Sequence, residues 1–232
     1  MSRVLKSVVL VVVVLFAAAA AFAQDLNPIA LPAPQTHGGK PVMDALAARV
    51  TSRAFAATPL PAQVLSNLMW VAQGMNGPKG ADAMSGATPI APSAVDWQEI
   101  DVYLVMRTGA YLYQPKTNTL KAVAAGDLRA LTGTQPFVKD APVTLVYIAD
   151  ARRMTYPPGL PDFLKEGAEA DKEFLNWADA ALISANVSIY CASTGLATGL
   201  REGIDKPPLA SALKLDDAQR VIMAQCVGYP PQ

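Results

Sequence analysis

Two arginines four residues apart, Arg49 and Arg53, flank the hydroxyl side chains of Thr51 and Ser52 in the stretch RVTSR. A phosphate group is held best by donors on several sides, and a planar guanidinium engages two of its oxygens at once. Adjacent hydroxyls and backbone N–H groups would add further donors. The pattern therefore indicates a phosphate site, although a surface helix that simply ends in arginines has the same spacing.

Charge and composition exclude other classes of partner. The chain of 232 residues carries 19 Lys and Arg residues against 19 Asp and Glu residues, so its formal charge is zero. This balance removes the electrostatic case for nucleic acid or an anionic membrane surface. The single histidine, His37, lies in a Pro- and Gly-rich leader, which argues against Ser-His or Cys-His catalysis. A small molecule remains the expected partner, and the sequence indicates no metal site.

The N-terminus has the pattern of an export signal. Two basic residues precede an apolar run that ends in Ala21-Phe22-Ala23. This order is typical of a secretory signal peptide, while an uncleaved anchor is the alternative, because the run is nearly long enough to span a bilayer. We expect a periplasmic or secreted protein with three parts: a signal at 1–23, an extended, exposed leader at 24–41, and one domain at 42–232.

The two cysteines, Cys191 and Cys226, lie in apolar runs. Free cysteine is among the most buried residue types, so two buried thiols are the first interpretation. A disulfide is the alternative, because an exported protein meets oxidising conditions. No Cys-x-x-Cys spacing accompanies them, which disfavours zinc.

Helical periodicity predicts three main helices. A short helix covers residues 42–50, and a second begins at Pro61 and ends at Gly74. The longest, at 171–195, contains no proline or internal glycine. We expect it to be central, because apolar residues occur nearly all round it. Those at helical spacing are Phe174, Leu175, Ala178, Leu182, Ala185 and Ile189.

Alternation predicts a β-hairpin over 100–115 with its turn at Thr108-Gly109. A continuous apolar run predicts a buried strand at 141–150. The remaining segments are a short helix at 126–134, a last strand at 220–230, and long loops at 75–94 and 154–163 that would wall a pocket. Together these elements predict one α+β domain.

From about Val42 to Tyr229, this order of features resembles the FMN-dependent nitroreductase superfamily. In that family an R-x-S-x-R motif holds the phosphate and ribityl chain of FMN. RVTSR matches the motif with Thr51 in place of Ser, so the resemblance assigns Arg49, Thr51 and Arg53 to FMN binding.

Two further motifs carry the resemblance. The family's P-S-x-x-N-x-Q segment lines the flavin, and here it reads PSAVDWQ. Its G-L-x5-E-G-[FI]-D segment matches TGLATGLREGID, in which backbone amides at the E-G step would lie near flavin N5. The residues that these motifs assign to the cofactor are Pro92, Ser93, Asp96, Gln98, Glu202 and Gly203.

The resemblance implies the α+β nitroreductase-type fold of three layers, with a mixed, mainly antiparallel sheet flanked by helices. It also implies a homodimer with FMN at the interface and hydride transfer through flavin N5 to or from a small organic substrate. No side chain need then act as an acid or base, because the cofactor carries the chemistry. The alternative is a degenerate flavin-binding or partner-binding module without turnover.

The stretch 109–142 is closest to the azoline dehydrogenase branch, which forms thiazoles and oxazoles. That branch has a G-x-Y-x-Y-x-P hairpin, matched by Tyr111 and Tyr113, although cross-strand packing is the ordinary role of such residues. It also tends to carry a Lys-Tyr pair ahead of the central helix. Here Lys165-Glu166 stands near that place, which argues against azoline oxidation.

Three other features shape the expectation. Asp96 stands where Asn is usual, so a carboxyl group would lie near the flavin pyrimidine. Either its negative charge opposes reduction of the flavin, or Asp96 stays protonated. No basic residue follows the final strand, which leaves phosphate binding to Arg49 and Arg53 with Arg201 as a helper. NAD(P)H serves most of the family, but an exported protein has little access to it, so the electron donor stays open.

Overall fold

The computed structural model describes residues 26–76, 88–156 and 158–231. Its helices are α1 (Val42–Ala48), α2 (Ala62–Gln73), α3 (Asp162–Ala170), α4 (Lys172–Thr194) and α5 (Lys206–Ala212). Its strands are β1 (Ile29–Ala30), β2 (Met75–Asn76), β3 (Thr88–Pro89), β4 (Ile100–Met106), β5 (Gly109–Gln114), β6 (Thr119–Ala125), β7 (Val143–Asp150), β8 (Ala197–Arg201) and β9 (Gln219–Gly228).

Seven strands form the main sheet in the order β1-β6-β5-β4-β7-β9-β8, and all the neighbouring pairs are antiparallel. Strands β2 and β3 form a separate small ladder. All eight residues of β7 are buried, because helices cover both faces of the sheet there. The predicted hairpin and buried strand are confirmed.

The sheet is the middle of three layers. On one face, Leu68 of α2 and Val187 of α4 pack against β-sheet residues such as Leu145 in one apolar cluster. On the other face, Leu209 of α5 packs with Ile148 in a second cluster. The predicted α+β fold with an antiparallel sheet between helices is confirmed.

Helix α2 follows its prediction closely. Pro61 precedes its first turn, and Gly74 is the C-terminal cap. The residues of its predicted apolar face that are fully buried are Leu65, Leu68, Met69 and Ala72.

Helix α4 runs over 23 residues and ends at Gly195, whose φ of 76° lies in the left-handed region that glycine tolerates. Not all of its apolar residues at helical spacing are buried, because Phe174 is 68% exposed and Leu182 is 43% exposed. The buried face mixes apolar and polar residues: Asn176, Asp179, Ala180, Ile183, Ser184, Val187 and Cys191. The sequence argument considered only the apolar residues of this helix and did not predict this face.

Hydrogen bonds account for part of that polar face. The buried Gln225 side chain of β9 donates to the Ser184 carbonyl (3.3 Å) and the Ser188 hydroxyl (3.0 Å) of α4. It also donates to Thr198 Oγ1 of β8 (3.0 Å) and accepts from the Tyr147 hydroxyl. A buried polar group that is fully paired fixes one arrangement of its neighbours. This network sets the position of α4 on the sheet.

The leader is partly built into the fold. Residues Ile29–Ala30 pair with β6, and Leu31 is buried. The carbonyl of Pro32 accepts hydrogen bonds from Ser66 Oγ and Asn118 Nδ2. The expectation of an exposed leader is therefore wrong for this stretch, while His37 is exposed.

Several smaller expectations are corrected. Helix α3 begins inside the predicted loop at 154–163, and β8 was not predicted. The predicted short helix at 126–134 is a 3-10 turn at Arg129–Thr132. The two ends of the predicted 75–94 loop pair as β2 and β3. Residues 77–87 of this loop lie outside the described residues, and so does the whole predicted signal at 1–23.

Both cysteines are buried free thiols, so the first interpretation holds. Burial raises the pKa of Cys191 to about 12. Within the described ranges, no helix has both the length and the apolar character needed to cross a bilayer. The same residues contain no group of three or more potential metal ligands.

Candidate flavin site

The arginine segment, residues 49–53, leaves α1 and runs beside the edge strand β8. The Ser52 backbone N–H donates to the Thr198 carbonyl at 2.8 Å. A side chain at Gly199 would collide with the Ser52 carbonyl, so this close approach requires glycine. The backbone of the segment is therefore fixed, while the side chains of Arg49, Thr51 and Arg53 are exposed.

The two positive charges of this segment are exposed to solvent. Neither Arg49 nor Arg53 forms an ion pair with a carboxylate among the described residues. Two exposed guanidinium groups on a fixed backbone suit a multiply charged anion such as a phosphate monoester.

Glu202 and Gly203 directly follow β8. The Thr134 backbone N–H donates to the Gly203 carbonyl at 3.0 Å, and Lys206 forms an ion pair with Glu202 at 3.3 Å. Both residues are exposed. These contacts fix the Glu202-Gly203 backbone at the end of β8, the strand that also supports the arginine segment.

The second group of predicted residues forms a tight turn, residues 93–98. Val95, Asp96 and Gln98 have φ values of 53°, 55° and 51°. Such values are uncommon for residues other than glycine and cost free energy of about 1–3 kcal/mol each. Strained backbone of this kind tends to occur at functional sites, where the surroundings enforce it.

Specific hydrogen bonds enforce this turn. The Ser93 hydroxyl accepts from the Gln98 backbone N–H at 2.8 Å. The Asp179 carboxylate, on α4, accepts from the Ala94 backbone N–H at 2.8 Å. The Gln98 side chain donates to Asp96 Oδ1 at 2.8 Å.

The turn walls a cavity of about 390 Å3 between α2, β3 and α4. Four of the predicted flavin residues line it: Pro92, Ser93, Asp96 and Gln98. Apolar side chains such as Ile183 and Trp97 form much of the remaining wall, which suits a flat aromatic ring.

Two buried carboxyl groups in this wall, Glu99 and Asp179, were missed by sequence reasoning. Glu99 is 0% exposed and Asp179 is 3% exposed. Burial raises the pKa of Glu99 to about 7, and burial also raises the pKa of Asp179. One signal was available, since Asp179 is the lone acid in the apolar stretch NWADAALIS.

The structure places the nine predicted residues in two groups. The cavity beside the turn includes no residue of the arginine segment or of the Glu202-Gly203 step. The turn is tied to α4 at Asp179, whereas Thr198 is tied through Gln225 to Ser188, nine residues along the helix. Nine helical residues correspond to about 14 Å.

Arg201 does not help the arginine segment, and that expectation is wrong. Its side chain is 8% exposed and donates to Cys226 Sγ (3.0 Å) and to the Thr132 carbonyl (3.0 Å) and hydroxyl (2.9 Å). The guanidinium also lies 6.0 Å from the Phe137 ring centroid. Arg201 is a buried structural cation.

The residues present fit a flavin mononucleotide in both groups. The arginine segment supplies exposed cations for a phosphate, and the cavity beside the turn supplies a flat apolar wall with polar edges. Within one chain, these two surfaces belong to separate parts of the fold.

Comparison with known proteins shows the family of the chain. Residues 46–229 match the model of the nitroreductase family. A nitroreductase-like protein from Ralstonia eutropha JMP134 is 32% identical, with a TM-score of 0.77 over 90% of this chain and 92% of that chain. No protein of curated function matches the chain.

More distant structures share the fold. One from Anabaena variabilis ATCC 29413 is 18% identical, with a TM-score of 0.66 over 88% of this chain and 42% of that chain. The NADPH:FMN oxidoreductase of Vibrio harveyi is 17% identical, with a TM-score of 0.54 over 82% and 67%. With a family match over most of its length, the chain belongs to the nitroreductase family.

Proposed function

We propose that the protein is an FMN-dependent oxidoreductase in which the arginine segment binds the flavin phosphate. The observation that carries this proposal is the pair of exposed guanidinium groups of Arg49 and Arg53, which form no ion pair within the described part of the chain and extend from a backbone fixed by β8. Exposed cations without a partner leave their donors available to a ligand. Thr51 adds a hydroxyl between them.

The remaining predicted residues would orient the ring. The wall formed by Pro92, Ser93 and Gln98 would exclude water from one side of it. The Glu202-Gly203 backbone, held by Thr134 and Lys206, would present its amides to the ring's reactive edge. When bound, the flavin supplies hydride transfer to or from a small organic substrate.

We propose further that two copies of the chain complete the site. Exposed apolar side chains on α1 support this proposal: Val42 is 61% exposed, Met43 71% and Leu46 46%. A group of exposed apolar side chains on one short helix is typical of an interface. A homodimer would allow the arginine segment of one copy to face the turn of the other.

Export remains part of the proposal. The N-terminal pattern supports a signal peptide and a periplasmic or secreted location. The G-A-Y-L-Y-Q-P hairpin supports a relation to the azoline dehydrogenase branch, with the substrate left open. In such a compartment the electron donor would differ from the NADPH named for the V. harveyi protein.

One observation favours a second candidate, a flavin-binding module without turnover. The cavity beside the turn contains three carboxyl groups, those of Asp96, Glu99 and Asp179. Negative charge near a flavin opposes the build-up of negative charge on reduction. A bound flavin that resists reduction is the expected property of this alternative.

The visible absorption spectrum of the purified protein, before and after addition of FMN, tests both. Peaks of bound oxidised flavin that bleach with a donor and recover with an acceptor support the enzyme. Peaks that no donor bleaches support the module without turnover. A colourless protein that takes up no FMN contradicts both, and light scattering with and without FMN tests the dimer.

A further inference from the structure

The 93–98 turn is held in its strained shape by side chains that lie outside it. Asp179, on α4, accepts from the Ala94 backbone N–H at 2.8 Å. Glu99, just after the turn, accepts from the Ser93 hydroxyl at 3.4 Å. Ser93 itself accepts from the Gln98 backbone N–H. The two carboxyl groups therefore secure the first residues of the turn, and Ser93 secures the last.

The two carboxyl groups meet at adjacent residues of the turn, because Glu99 accepts from the Ser93 hydroxyl and Asp179 accepts from the backbone N–H of Ala94. A hydrogen bond between two carboxyl groups needs one proton, because two carboxylates have only acceptors. Both groups are buried, and two negative charges so near each other cannot both form there without a large cost. The pair therefore carries one proton and one negative charge when the turn has the observed shape.

The charged groups that face the pair do not neutralise it. Arg153, which lines the same cavity, forms an ion pair with Asp101 at 2.9 Å and donates to the Glu99 carbonyl. Lys116 and Asp96 line the cavity with exposed side chains. In the part of the chain that the structure describes, no cation forms an ion pair with Glu99 or Asp179.

A separate observation concerns a buried hydrogen-bond donor in this wall. Trp97 lies within the turn, is 4% exposed and lines the cavity. Its indole N–H has no hydrogen-bond partner among the described residues. A buried donor without a partner costs free energy, which a ligand with an acceptor group would recover.

We propose that Glu99 and Asp179 are positioning residues whose shared proton holds the 93–98 turn in the shape that binds the flavin ring. This inference rests on the proposed function and deepens it. Loss of the proton places two carboxylates in contact, so the pair separates and the turn loses its anchor to α4. Flavin affinity then falls as the proton leaves.

The pH range follows from the direction of the pKa shift. Burial raises the pKa of Glu99 from its ordinary value to about 7 in the folded protein. A raised pKa means that the native state holds a proton which the unfolded chain has released. The contribution to stability is therefore complete below about pH 4.5 and is lost as the pH rises to about 7. Flavin binding should weaken as the pH rises through about 7.

The first measurement is the dissociation constant for FMN, by fluorescence titration, at pH values from about 6 to 8. For the wild type we expect the constant to rise by up to about tenfold, the effect of one linked proton over one pKa unit. Glu99→Gln keeps a donor to Asp179 but cannot ionise, so its affinity should follow only the ionisation of the FMN phosphate. A wild-type profile parallel to that of Glu99→Gln overturns the proposal.

Asp96→Asn is the matched control. It removes an exposed carboxylate from the same cavity and leaves the buried pair intact. Its profile should keep the wild-type midpoint. A midpoint that disappears in Asp96→Asn would assign the titration to the exposed group and overturn the proposal.

A readout without flavin separates failure of this inference from failure of the proposed function. The NMR resonances of the Ala94 amide and the Trp97 indole N–H should titrate near pH 7 in the free wild type and stay flat in Glu99→Gln. If they do so while FMN binds at no pH, the proposed function fails and the proton-dependent turn stands. If they stay flat in the wild type, the inference fails even where FMN binds.

Discussion

The arginine segment and the 93–98 turn do their proposed work in opposite ways. The first has a fixed backbone and free side chains, since Ser52 is bonded to Thr198 while Arg49 and Arg53 are exposed. The second has a strained backbone held by the buried carboxyl groups of other residues. The segment should therefore tolerate substitution without loss of stability, whereas the turn should not.

The largest effect should come from Arg49→Ala combined with Arg53→Ala. Each loss removes charge-assisted hydrogen bonds to the phosphate, so the FMN dissociation constant should rise by roughly two to three orders of magnitude. The melting temperature should hold, because both side chains are exposed. Fluorescence titration and thermal unfolding measure the two effects.

The control for this double variant is Arg107→Ala, another exposed arginine, which follows β4 and lies outside both groups of predicted residues. It should leave the FMN affinity at the wild-type value. Unchanged flavin occupancy in the double variant would contradict the assignment of the segment.

Arg201→Ala should show the reverse pattern. It removes three hydrogen bonds from a buried guanidinium and should lower the free energy of unfolding by about 3 kcal/mol. The folded fraction should bind FMN with wild-type affinity, because this side chain points into the core. Urea denaturation measures the stability, and flavin titration measures the affinity for FMN. A loss of FMN affinity in the folded fraction would show that Arg201 contributes to phosphate binding.

Asp179→Ala should affect both properties. It leaves the Ala94 backbone N–H without its acceptor, which should lower the free energy of unfolding by about 2 kcal/mol. It also frees the turn, so FMN affinity should fall. Glu166→Ala, an exposed acid on α3, is the control for removing a carboxylate. If urea denaturation gives equal midpoints for the two variants, the anchoring role of Asp179 is wrong.

Asp96→Asn should have the smallest effect. Removing an exposed carboxylate beside the ring should tighten FMN binding by about two- to fivefold, the size of a surface charge effect. The bound flavin should also become easier to reduce, because the reduced form is more negative. Spectroscopic redox titration measures the direction. A flavin that becomes harder to reduce would place Asp96 away from the ring.

The same contrast explains how much the sequence could predict. Side-chain type alone singled out Arg49 and Arg53 as a candidate phosphate site, which stays a prediction. Periodicity identified α2, the β4–β5 hairpin and β7, because burial there follows apolarity. The buried face of α4 was not predicted, because it depends on partners such as Gln225, which is distant in sequence. Glu99 and Asp179 were missed for the same reason, since only the fold brings them together.

The strand order has a consequence for how the chain acquires its fold. Strand β9, the last of the described elements, is an interior strand that pairs with both β7 and β8. During synthesis from the N-terminus, β7 is made about seventy residues before its neighbour β9, while the β4–β5–β6 meander can form from local contacts. The nascent protein thus keeps an open sheet edge until β9 has emerged from the ribosome. Deleting β9 should leave an aggregation-prone half-sheet rather than a slightly shortened protein.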